Sequence, residues 1–142
     1  VNPFLRLIPA VGVLALVAAV PCASAQPQPK QQEWTQLMTT ARKKVSLKIP
    51  SIRPHGEFVE AWTRYDYFEL QNDVGKQPFR ASNYLGDYDC KGRREKMRRV
   101  VSYNGPLEVH DLDIGRHTQW SPVGKPETVS GAVFEAVCAK VR

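Results

Sequence analysis

Phe58-Val59-Glu60-Ala61-Trp62-Thr63-Arg64-Tyr65-Asp66-Tyr67-Phe68 is the stretch that decides the fold. Aromatic and β-branched residues crowd it, which suits a pleated, half-buried backbone better than a helix. It predicts a strand over 58–68. Upstream, Pro50 and the Pro54-His55-Gly56 triplet punctuate the chain around Ser51-Ile52-Arg53. Before them, Val45, Leu47 and Ile49 alternate with Lys44, Ser46 and Lys48, predicting a strand with one wet face. Trp34 to Met38 is expected to be the first strand.

Downstream, the polar run Gln71–Pro78 reads as a loop. Tyr84 to Ser102 holds one long strand or a bent pair, with Tyr84, Tyr88 and Cys90 on one face. Gly86 and Gly92 mark bulges or bends. Asn104-Gly105 is the strongest hairpin dipeptide, set between Val100–Tyr103 and Leu107–Leu112. A further strand is expected over Thr118–Val123. The period then changes. Val129, Val133, Phe134, Val137, Cys138 and Val141 recur at helical spacing, and Pro126-Glu127 suits a first helical turn. Together these elements predict an α+β fold: a twisted antiparallel β-sheet with a C-terminal α-helix packed on one face.

The first residues read as an address rather than as structure. Arg6 precedes the apolar run 7–20, and Ala23-Ser24-Ala25 places small residues where signal peptidase needs them. The run is shorter than the roughly 20 apolar residues of a membrane-spanning helix. Residues 1–25 are therefore expected to be a signal peptide, with Val1 expected as the start and read as Met from a non-ATG codon. Pro21 beside Cys22 spoils the alternative of a lipid-anchored cysteine. Residues 26–33, rich in Pro and Gln, read as a disordered tether. That leaves 34–142 as one domain, exported to the periplasm or the cell surface.

Without the leader, Cys90 and Cys138 remain, an even pair in an oxidising compartment, so one disulfide between them is expected. Closing a loop of about 50 residues is worth about 4 kcal/mol in the chain-entropy model. The chain carries 20 Lys and Arg against 14 Asp and Glu; setting aside Arg6 leaves 19 against 14, a net charge of +5. An exported basic surface meets anionic lipids, acidic glycans or acidic protein patches rather than nucleic acid.

Lys91, Arg93, Arg94, Lys96, Arg98 and Arg99, opposed within the run by Glu95 alone, form the densest charge cluster. On a strand, Lys91 and Arg93 would share one face, and Arg94, Lys96 and Arg98 the other. Such a ridge suits an acidic partner. The competing reading is an edge strand guarded against aggregation by Lys and Arg. His110, Asp111, Asp113 and His117 have ligand chemistry, but strand alternation sends His110 and Asp111 to opposite faces, so no metal site is expected. Neither a nucleophile elbow nor a Gly-rich phosphate loop is present. No catalytic residue and no cofactor are assigned.

These landmarks together resemble the surface-adhesin protein E-like domains of Gram-negative bacteria. They are Trp34; Ser51-Ile52-Arg53 followed by Gly56; Val59 to Trp62; Asp89-Cys90 followed by Arg93 and Arg94; Tyr103 and Gly105; Trp120 and Pro122; and Val137-Cys138. Family members often carry an acidic residue just before the Ser-Ile-Arg step, where this chain has Lys48 and Pro50. The resemblance implies an exported domain with a twisted antiparallel sheet, a C-terminal helix and one disulfide. It further implies adhesion to host extracellular-matrix proteins and dimerisation through the sheet. The expected function is a non-enzymatic binding domain for a matrix protein or another anionic surface ligand. The rivals are a structural envelope-associated periplasmic protein without a host partner and, third, a metal-dependent enzyme.

Overall fold

The computed structural model describes residues 33–73 and 75–141. The expected leader 1–25, including Cys22, and the tether up to residue 32 lie outside these residues. Eight strands and one helix follow in order: β1 (Thr35–Thr39), β2 (Lys43–Leu47), β3 (Arg53–His55), β4 (Phe58–Gln71), β5 (Phe79–Asp89), β6 (Arg94–Asn104), β7 (Leu107–Asp113), β8 (Ser121–Pro122) and α1 (Val129–Cys138). All pair antiparallel in a single sheet of order β1-β2-β4-β5-β6-β7. The short strand β3 lies beside the start of β4, and β8 beside the start of β6. The sheet does not close; β1 and β7 end its main strand order.

Strand alternation sorts the two faces. Val59 and Ala61 of β4, Val45 and Leu47 of β2, and Tyr88 of β5 point to one side. There they meet Val133, Phe134, Val137 and Cys138 of α1, forming the core. The Tyr88 and Phe134 ring centroids lie 6.5 Å apart. Cys90 and Cys138 form the expected disulfide, across a sequence separation of 48 residues. No helix among the described residues is long and apolar enough to cross a membrane.

Several boundaries differ from the expectations for local reasons. The strand β4 runs three residues further than expected, and β5 begins at Phe79 rather than Tyr84. Pro50 sits in a 3-10 turn, Ile49–Ser51, so β2 stops at Leu47. On its expected wet face Ser46 is nearly buried, paired between Gln36 of β1 and Arg64 of β4. The expected strand 118–123 shrinks to Ser121–Pro122, because the backbone turns at His117 and the Thr118 hydroxyl donates to the Met97 carbonyl.

The hairpin after β6 forms one step later than the dipeptide suggests. Asn104 pairs with Leu107, which leaves Gly105 and Pro106 as the central residues. Gly105 takes φ 59°, as the first central residue of a type II′ hairpin turn requires. Pro126 and Glu127 precede the helix instead of opening it. The Thr128 hydroxyl accepts from the Gly131 N–H at 3.1 Å, making Thr128 the N-cap. Val141 lies beyond the helix and is exposed.

Candidate binding surface

The helix packs on one face of the sheet, over β1, β4 and β5. The opposite face takes the alternate residues: Glu60 and Trp62 of β4, Asn83 and Asp87 of β5, and Arg94, Lys96, Val101 and Tyr103 of β6. A bulge interrupts β6, since Leu85 pairs with Arg99 while Gly86 pairs with Met97. Arg98 is the extra residue. Neighbouring residues on a regular strand point apart, yet Arg98 and Arg99 both engage carboxylates of this face.

Glu60 and Asp87 are both about 5% exposed. Arg98 bridges them: its Nη2 bonds Glu60, and its Nε lies 2.9 Å from Asp87 Oδ2. The second contact is off the hydrogen-bond direction, so Nε contributes charge without a formal bond. Arg53 of β3 bonds the other Glu60 oxygen, and His55 Nδ1 sits 3.0 Å from Asp87 Oδ1. Burial pushes the Glu60 carboxyl up, but the hydrogen bonds and charges of Arg53 and Arg98 prevail and hold it below the ordinary glutamate range. Among the described residues, His55, Glu60 and Asp87 are the group with metal-ligating spacing. Two guanidinium groups already neutralise its carboxylates, so a cation would have to displace an arginine.

The basic cluster is not a row on one strand. Lys91 and Arg93 lie in the turn between β5 and β6, where Arg93 adopts φ 51°. Arg93 reaches the helix, 2.9 Å from Glu135, and its guanidinium carbon lies 5.1 Å from the Phe134 ring centroid. Arg94 bonds Asp89 at 2.6 Å and packs beside Trp120, while Arg99 holds Asp111 with two hydrogen bonds. Those bonds keep the Asp89 and Asp111 carboxyls below the ordinary aspartate range. Lys91 and Lys96 make no ion pair among the described residues.

The second cluster is dispersed. His110 stands edge-on to Phe79, with Nε2 2.7 Å from the Gln77 carbonyl. Asp111 belongs to Arg99, and Asp113 accepts from the Gly115 N–H.

Sequence reasoning did not single out a groove of about 260 Å³ on the bare face, walled by Trp34, Trp62, Asn83, Val101 and Tyr103 with Lys48, Arg99, Glu108 and Asp111 at its edges. Beyond Lys48 and Trp62 a second cleft of about 220 Å³ continues past Pro50, Ser51, Arg53 and Glu60. Its one sequence signal is the aromatic and amide character of alternate positions on β4, β5 and β6, which a core does not need.

A family model described as surface-adhesin protein E matches residues 34–139. No curated protein matches the chain. A solved structure, crystal form II of Haemophilus influenzae protein E, superposes with a TM-score of 0.57 at 12% identity, covering 80% of this chain and 93% of that one. At that identity the likeness is one of fold.

Proposed function

This chain belongs to the surface-adhesin protein E family, and from that premise we propose that it is an exported, non-enzymatic binding domain that attaches to a macromolecular surface through the bare face of its sheet. The observation that carries this is one-sided coverage. α1 seals the β1, β2, β4 and β5 part of one face into a core, while the other presents ordered, mostly paired polar side chains and an open groove. A surface held rigid in this way loses little freedom on docking. The partner class is a host extracellular-matrix protein or another acidic surface ligand, met at the margin where Lys91, Arg94 and Lys96 lie. Arg98 serves inside the fold, pinning buried carboxylates, and is no free contact for a partner.

Reversing charge at Lys91, Arg94 and Lys96 tests the proposal. Binding to a panel of immobilised matrix proteins should fall. The remaining affinity should lose its salt dependence, because exposed charges act over a Debye length of about 8–10 Å. The melting temperature should barely move, since exposed pairs add little to stability. Unchanged affinity at low salt removes the ridge from the interface. A wild-type domain that captures envelope components and no matrix protein is instead a structural envelope protein. Protease shaving of intact cells separates a surface location from a periplasmic one.

A further inference from the structure

The groove at Trp34 and Trp62 lies in a basic protein, yet it is a poor place for an anion. Arg99 is committed to Asp111, and Lys48 pairs with Glu33. An incoming carboxylate or sulfate would have to break one of these pairs, and it would meet Glu108 and Asp111 in the same lining. We infer that the groove binds a neutral saccharide, an uncharged pyranose whose hydroxyls both donate and accept hydrogen bonds.

Each part of the groove fits that chemistry. Trp34, Trp62 and Tyr103 supply broad aromatic surfaces from three separate segments. The C–H groups on one face of a pyranose ring carry partial positive charge and pack against such electron-rich faces. Glu108, and Asp111 through the lone pairs that Arg99 leaves free, accept from sugar hydroxyls, while the guanidinium and ammonium groups donate to hydroxyl oxygens, so no ion pair has to break. Asn83 lines the groove, and its Oδ1 is closed to water and without a hydrogen-bond partner, so a sugar meets it once the amide turns toward the groove. An orphan acceptor is costly, and only a donor relieves it. A sugar hydroxyl or acetamido N–H is a donor; an ionised sulfate or carboxylate group or an alkyl chain is not. Peptide binding is disfavoured for a different reason. The groove lies on the face of paired strands rather than at an edge, so an added strand would find no free backbone ladder there. The adjoining cleft past Trp62 extends the track for a second sugar unit.

The test titrates the full chain with chitotriose, mannotriose and N-acetyllactosamine, reading tryptophan emission and saturation transfer by NMR. Sulfated and sialylated trisaccharides and a collagen-like peptide are run in parallel. At least one neutral probe should perturb tryptophan emission with little dependence on salt. Trp34→Ala and Asn83→Ala should each weaken it by about tenfold, the scale of one lost stacking or hydrogen-bonding contact. Asn83→Ala removes an unsatisfied acceptor and should keep the fold intact, so it decides the matter if Trp34→Ala unfolds. The inference fails if no neutral probe binds, if only charged glycans or the peptide bind, or if Asn83→Ala binds as wild type does. The ridge variant at Lys91, Arg94 and Lys96 should bind the neutral probe normally, so failure at the ridge and failure in the groove are distinguishable.

Discussion

Arg98 stands between two carboxylates that water barely reaches, and its removal should be the most damaging single change on the bare face. Losing one partner of a buried ion pair strands the other and costs about 3–5 kcal/mol. Arg98→Ala is expected to lose that much in urea unfolding, whereas Arg94→Ala, at an exposed pair, should lose under about 1 kcal/mol. Equal effects at the two positions would contradict the assignment. Glu60→Gln tests the same cluster through pH. The Glu60 carboxyl is depressed in the fold, so its stabilising contribution is complete above the unfolded glutamate pKa and is lost as pH falls through the folded one. Wild type and Glu60→Gln should differ most near neutrality and converge in acid; parallel stability curves would refute the pairing. None of this was legible at Glu60 itself. Strand alternation puts that residue on the side where a reader expects solvent. Its burial depends on Arg53 and on Arg98, which reaches it only because of a bulge.

At the scale of elements, the sequence was readable where a period was long and its reward was burial. β4 and α1 each bury an apolar set, and both lie where alternation and helical spacing place them. Ends were harder, because single contacts set them. The Thr118 hydroxyl, donating to the Met97 carbonyl, shortens the strand around Ser121, and a Thr cap moves the helix start past Pro126. Gly131 shows how such contacts hide. Glycine is a poor helix former, yet a Cβ at this position would lie 1.9 Å from the Lys125 carbonyl oxygen. Alanine is the better helix former by about 1 kcal/mol, and the clash should outweigh it. Gly131→Ala is expected to lower stability by about 1–3 kcal/mol, measured by thermal or urea unfolding. A more stable variant would show that the loop before the helix yields freely.

Taken whole, the molecule is a sheet locked to a helix on one side and left bare on the other. The lock was legible from two cysteines and a helical stripe. The groove was not, because its walls come from separate segments that only the strand register brings together. Cys138→Ser should lower stability by about 2–5 kcal/mol, with one free thiol appearing at Cys90 and the sheet retained in far-ultraviolet circular dichroism. An unchanged melting temperature would mean that the helix needs no covalent tie. The same bond also fixes how the domain bears tension. Under a pull between Glu33 and Cys138, the covalent line of force leaves the backbone at Cys90 and crosses directly to Cys138. The intervening segment, with β6, β7, β8 and α1, hangs outside that line. At about 3.4 Å per extended residue, roughly 160 Å of slack is never paid out. Extension of the chain is thereby confined to the first five strands; β6, which carries Lys96 and Tyr103, loses its bonds to β5 when β5 yields, but its own backbone is not drawn out.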